Sequence, residues 1–98
     1  MIYEEYIRIK KKYAEAQKTY EEALEQTENV VKPKETMQEW EWLLDKKREQ
    51  LIASCDVEDR IYYLRFIRRK KIREIIKEIS YSEAQIYRII SKIKRAGK

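Results

Sequence analysis

Histidine is absent from this 98-residue chain, and glycine, proline, cysteine and phenylalanine occur once each. Each scarcity removes a class of explanation. Without histidine the commonest general base and the commonest transition-metal ligand are missing. A lone Gly97 cannot build a glycine-rich phosphate loop, and so few turn residues do not suit a sandwich or barrel. The single Cys55 forbids an intramolecular disulfide, and beside Asp56 at a helix junction it reads as a small buried apolar residue rather than a nucleophile. No zinc-ligand spacing and no nucleophile–base pair is present, so neither an enzyme nor a cofactor is expected. No apolar run approaches the roughly 20 residues that span a bilayer, and Met1-Ile2-Tyr3-Glu4-Glu5 lacks the layout of a signal peptide. The expectation is a soluble protein of a reducing cytoplasm with no membrane partner.

What the chain does have is charge, 42% of its residues, and an uneven division of it. Residues 1–56 hold 10 Lys and Arg against 13 Asp and Glu, a net of −3, whereas residues 57–98 hold 13 against 5, a net of +8. High charge with almost no Gly or Pro predicts an all-α fold. The sign asymmetry predicts a nucleic-acid-binding end joined to an end with a different task. The boundary falls at the possible N-caps Ser54 and Asp56, giving a helical hairpin or coiled-coil region over 1–55 and a DNA-binding unit over 56–98.

In the first region Ile2, Tyr6, Ile9, Tyr13, Ala16, Tyr20 and Ala23 alternate steps of four and three, which is a heptad seam with a Tyr every seventh residue. Such rings bury well while their hydroxyls stay wet, which suits an interface. The seam predicts one helix that frays near 29–34, at Val30-Val31 and Pro33. A second begins at the capping-box sequence Thr36-Met37-Gln38-Glu39 and carries Trp40, Leu44 and Leu51 on its seam, with Trp42 and Leu43 widening it. Tyr6, Tyr13, Tyr20, Trp40 and Leu44 are the candidate oligomer or partner interface, with Trp42 expected to be exposed beside Trp40 on the same surface. The short linker favours an antiparallel pair, within one chain or across two.

The second region reads as three short helices. One starts near Val57, buries Val57, Ile61, Leu64 and Ile67 with Tyr63 and Phe66 at its flanks, and ends near Arg69. Ile72, Ile75, Ile76 and Ile79 define the next; after Ser80-Tyr81-Ser82 the same spacing returns in Ile86, Ile89, Ile90 and Ile93. Two amphipathic helices joined by so short a turn are the pattern of a helix-turn-helix. Ser82-Glu83-Ala84-Gln85 is a capping box that fixes the start of the last helix, a recognition helix over 82–95. Opposite its isoleucines lie Ala84, Arg88, Ser91 and Arg95, small residues between long basic ones, as a helix seated in a major groove requires. Ala84, Gln85, Arg88 and Ser91 are the candidate base contacts. Arg88 suits bidentate bonding to guanine or a plain phosphate contact; Gln85 suits adenine or simple closure of the capping box. Arg69, Lys70, Lys71, Ser82, Tyr87, Lys92, Lys94 and Arg95 are the candidate phosphate contacts, within a basic set that also includes Arg68, Arg73 and Lys98.

The run Leu64-Arg65-Phe66-Ile67-Arg68-Arg69-Lys70-Lys71-Ile72-Arg73-Glu74-Ile75-Ile76-Lys77-Glu78-Ile79-Ser80-Tyr81-Ser82, followed by Gln85-Ile86-Tyr87-Arg88-Ile89, resembles the region-4 helix-turn-helix of bacterial sigma factors. More closely, it is similar to the small RinA/ArpU-type phage transcription regulators of Gram-positive hosts. The likeness spans residues 60–93 and is only architectural before them. It implies a coiled-coil-like N-terminal half, a sigma-like DNA-binding unit and a phage or prophage origin in a bacterial host cell. Where that pattern has a small Ala this chain has Ile76, and Arg69 and Ser80 replace turn glycines, so a positive φ at either would carry strain.

Sequence-specific binding of double-stranded DNA in transcription regulation is the leading expectation, with a homodimer or RNA polymerase as partner of the first region. A small terminase-like DNA-packaging component, and a phage-borne inhibitor of a host nucleic-acid enzyme acting through protein contacts, are the alternatives.

Overall fold

The computed structural model describes residues 1–26 and 29–97, and every regular element among them is helical. The elements are α1 (Ile2–Glu25), α2 (Val31–Ala53), α3 (Val57–Tyr62), α4 (Ile72–Glu78) and α5 (Glu83–Arg95), with α3 running directly into a π-helical turn, Tyr63–Ile67. The molecule is elongated, 54 × 21 × 18 Å. Its core sits at one end, where the start of α1 and the end of α2 meet α3, α4 and α5.

α1 and α2 lie side by side in opposite directions within the one chain. Lys47 Nζ reaches Glu5 Oε2 at 2.5 Å, and Arg48 donates to the Tyr6 hydroxyl at 3.2 Å while lying over its ring. These contacts raise the Arg48 pKa, chiefly through the bond to Tyr6, and the Lys47 ammonium lowers that of Glu5.

The start of α2 differs from the sequence expectation. The helix opens at Val31, and Thr36 and Glu39 lie inside it rather than capping it. Pro33 is the third helical residue, where an amide would have no intrahelical partner, so proline opens the helix instead of blocking it. Asn29 Oδ1 accepts from the Val31 amide at 3.0 Å and does the work of a cap.

At the junction, Asp56 caps α3 by accepting from the amides of Glu58 and Asp59 at 3.0 and 3.2 Å. Ser54 does something else: it accepts from the Asp56 amide and donates to Asp59 Oδ2 at 2.8 Å. Cys55 is exposed rather than buried, because this extended link runs along the surface.

Asp59 is 1% exposed, and its second oxygen accepts from the Tyr3 amide at 2.9 Å. Tyr3 is in the first turn of α1, whose own N-cap, Met1, offers no side-chain acceptor. An aspartate 56 residues away therefore supplies the cap, and its charge suits the positive end of the helix.

Tyr3 and Tyr6 of α1 pack against Tyr62, a buried residue of α3 outside the expected apolar stripe. The Tyr62 ring stacks on Tyr3 at 5.6 Å between centroids, meets Tyr6 edge-on at 5.9 Å and lies 5.4 Å from Phe66. Burial pushes its phenol up to about 12. Ile61 and Leu64 are buried as their spacing predicts, and Val57 and Ile67 are partly so. Periodicity reads one buried stripe, whereas α3 is covered on several sides.

Replacing Asp59 leaves the buried Tyr3 amide without its acceptor, at about 1–3 kcal/mol, and the partly buried Ser54 hydroxyl without its own, at less. Asp59→Ala is expected to lower the urea-unfolding free energy by about 2–4 kcal/mol, and Asp59→Asn, which keeps one acceptor, by less. Equal stability of Asp59→Ala and wild type would refute the capping role.

Candidate nucleic-acid interface

α5 owes its orientation to four isoleucines. Ile86, Ile90 and Ile93 are buried and Ile89 is packed against the same core, which turns the opposite face to solvent. Ala84, Gln85, Tyr87, Arg88, Ser91, Lys92, Lys94 and Arg95 are all exposed there. The helix starts at the Ser82 box: Ser82 Oγ accepts from the Gln85 amide at 3.3 Å, and Gln85 Oε1 accepts from the Ser82 amide at 3.0 Å and from its hydroxyl at 3.1 Å. The Gln85 carbonyl oxygen is thus occupied by the cap, while its NH2 group has no partner among the described residues. Paired bonds to adenine would need that oxygen released.

The basic residues divide into paired and unpaired. Lys92 Nζ bonds Glu58 Oε1 at 2.7 Å, and Lys70 pairs with Glu78. Arg69, Lys71, Arg88, Lys94 and Arg95 make no ion pair among the described residues. Lys98 lies outside them. Glu58 draws the Lys92 pKa upward, mainly through their hydrogen bond, and Glu58 Oε2 and the Tyr3 hydroxyl are buried without partners. Burial first, and Glu58 second, raise the Tyr3 pKa. The Glu58–Lys92 bond ties α3 to α5, with the buried Tyr3 of α1 close to both charges.

Before α4 the backbone turns sharply. The Arg68 amide bonds the Tyr63 carbonyl five residues back, the Lys70 amide bonds the Leu64 carbonyl at 2.9 Å, and Arg69 takes φ 54°. This is a left-handed helix terminator that normally uses glycine. Arg65 braces it by donating from Nη1 to the Lys70 carbonyl at 3.0 Å. Ser80, the other residue in a glycine-like turn position, has no positive φ. Ile76 is half-buried against the core, its larger side chain accommodated at the edge.

The sequence assigned five residues to a partner interface, and they divide by depth. Tyr6 and Leu44 are buried in the contact of α1 with α2 and the core, so they offer no surface to another molecule. Tyr13, Tyr20 and Trp40 are half-buried, and Trp42, the other tryptophan expected at that surface, is 59% exposed beside Leu43.

Comparison with known families, curated proteins and solved structures finds no match to this chain. No helix among the described residues is long and apolar enough to cross a membrane, and no cluster of metal-ligating side chains occurs among them.

A left-handed non-glycine residue costs about 1–2 kcal/mol. Arg69→Gly is expected to raise stability by up to about 1 kcal/mol, and Arg69→Val to lower it by a similar amount, because a β-branched side chain fits that region worst. Identical unfolding midpoints for the two variants would contradict the strain.

Proposed function

We propose that the chain is a sequence-specific duplex-DNA-binding regulator of transcription, with α4 and α5 as a helix-turn-helix and α5 in the major groove. The observation that carries this reading is the exposed face of α5. Over 84–95 it combines Ala84 and Ser91 with Arg88, Lys94 and Arg95 and contains no carboxylate. Small residues permit close approach to base edges, and the unpaired cations at the flanks suit phosphate. Arg88, exposed and without an ion-pair partner among the described residues, is the assigned guanine reader. Arg69, Lys71, Lys94 and Arg95 are the assigned phosphate contacts; Lys70 and Lys92 contribute only if they exchange a carboxylate for the DNA.

The α1–α2 hairpin is the assigned partner region, through Tyr13, Tyr20, Trp40 and Trp42 rather than Tyr6 and Leu44. A homodimer would place two α5 helices about 34–36 Å apart, or a multiple of that, on half-sites. The same surface suits RNA polymerase. The resemblance to sigma region 4 and to RinA/ArpU-type regulators supports this reading and favours a phage or prophage setting.

Selection of bound duplexes from a random pool, with a salt titration of the winner, tests it. A defined motif is expected, with log K falling by roughly 0.9 per log unit of salt for each phosphate neutralised. Arg88→Ala is expected to relax one position of the motif at a loss of about 1–3 kcal/mol. Recovery of no motif, with uniformly weak binding, would reject the proposal.

A further inference from the structure

Basic surface extends beyond α5 onto α1. Lys10 of α1, Arg65 and Phe66 of the π turn, Arg69 of the following turn and Lys94 of α5 line an open cleft of about 490 Å3. Four cations from separate parts of the chain converge there, and no carboxylate is among the lining residues.

Carboxylates are available to cations elsewhere: Glu5, Glu78 and Glu58 neutralise Lys47, Lys70 and Lys92 across the fold. Lys10, Arg65, Arg69 and Lys94 make no ion pair among the described residues. Like charges gathered in a cleft repel one another, and a multivalent anion reverses the sign of that interaction. Two of the lining cations sit at the turn before α4. Arg65 is anchored through Nη1 to the Lys70 carbonyl, which leaves further guanidinium N–H groups to donate. Arg69, at φ 54° in the turn, brings an exposed guanidinium beside the other three cations.

We propose that this cleft is a phosphate-binding site joining α1 to the basic surface of the C-terminal unit. Phosphate suits it because two guanidinium forks match its oxygens, and two lysines add point charge without demanding one geometry. Phe66 forms an apolar wall, packed against the core. The phosphate belongs either to a DNA strand running past α5, a case that rests on the function proposed above, or to a free phosphorylated small molecule, which does not.

Two arms separate these sources, both on the full chain. In the first, inorganic pyrophosphate is titrated at constant ionic strength and melting temperature is followed. In the second, the salt slope of duplex binding is compared between wild type and Lys10→Ala. A saturable rise in melting temperature that Lys10→Glu weakens about tenfold or more, and that the equally charge-reversing Lys18→Glu leaves intact, supports the site with a free ligand. A salt slope lowered by about 0.9 in Lys10→Ala, without pyrophosphate saturation, supports it with the strand as source. Absence of both effects, or equal loss in Lys10→Glu and Lys18→Glu, would overturn the site. If no duplex is bound at all, the DNA reading fails and the pyrophosphate arm decides the cleft by itself.

Discussion

A carboxylate buried away from water is stable only when its oxygens are taken by donors, and Asp59 meets that condition by reaching out of α3 in two directions. One oxygen caps the first turn of α1 through Tyr3; the other holds Ser54 in the link from α2. The contact unites three stretches of chain at one point. Around it the rings of Tyr3, Tyr6, Tyr62 and Phe66 close the core, and Glu58, one residue before Asp59, carries the linkage on to Lys92 of α5. The acidic first half and the basic second half therefore share a single core, although their surfaces differ in sign.

The proposed function depends on that arrangement. α5 presents its basic face because its isoleucines are held from behind by a core to which α1 contributes. Within the C-terminal unit the sharp turn at Arg69 and the capped start at Ser82 set where α4 and α5 begin. The pairing of some cations with glutamates further sorts the basic surface. Lys70 and Lys92 are already neutralised, whereas Arg88, Arg95 and the four cations of the cleft remain open to phosphate.

Much of this was legible in the residues, and the exceptions have physical causes. The isoleucine spacing, the Ser82 box and the cap at Asp56 are local signals, and α4, α5 and the start of α3 follow them closely. The glycine-like position of Arg69 was visible because the resemblance supplied a pattern to depart from. The opening of α2 was misread because Pro33 can end a helix or begin one, and Asn29 two residues upstream of Val31 decides between them. Asp59, Tyr62 and Lys10 were missed because Asp59 caps Tyr3 from 56 residues away in sequence, Tyr62 packs on Tyr3 and Tyr6 at the other end of the chain, and Lys10 lines a cleft made by several elements, none of which periodicity records. The Tyr heptad was genuine as a seam, but its first member, Tyr6, is occupied by Tyr62 and Arg48 of the same chain.

The central claim is that α5 and the turn before α4 form the duplex-DNA surface of the proposed regulator, apart from the exposed Trp42 of α2. An amide-resolved NMR titration of the full chain with a short duplex tests this most directly. The account predicts shift changes at Ala84, Arg88, Ser91 and the 69–71 turn, with the amides around Trp42 unmoved. Changes confined to the Trp42 face, or none at α5, would contradict it.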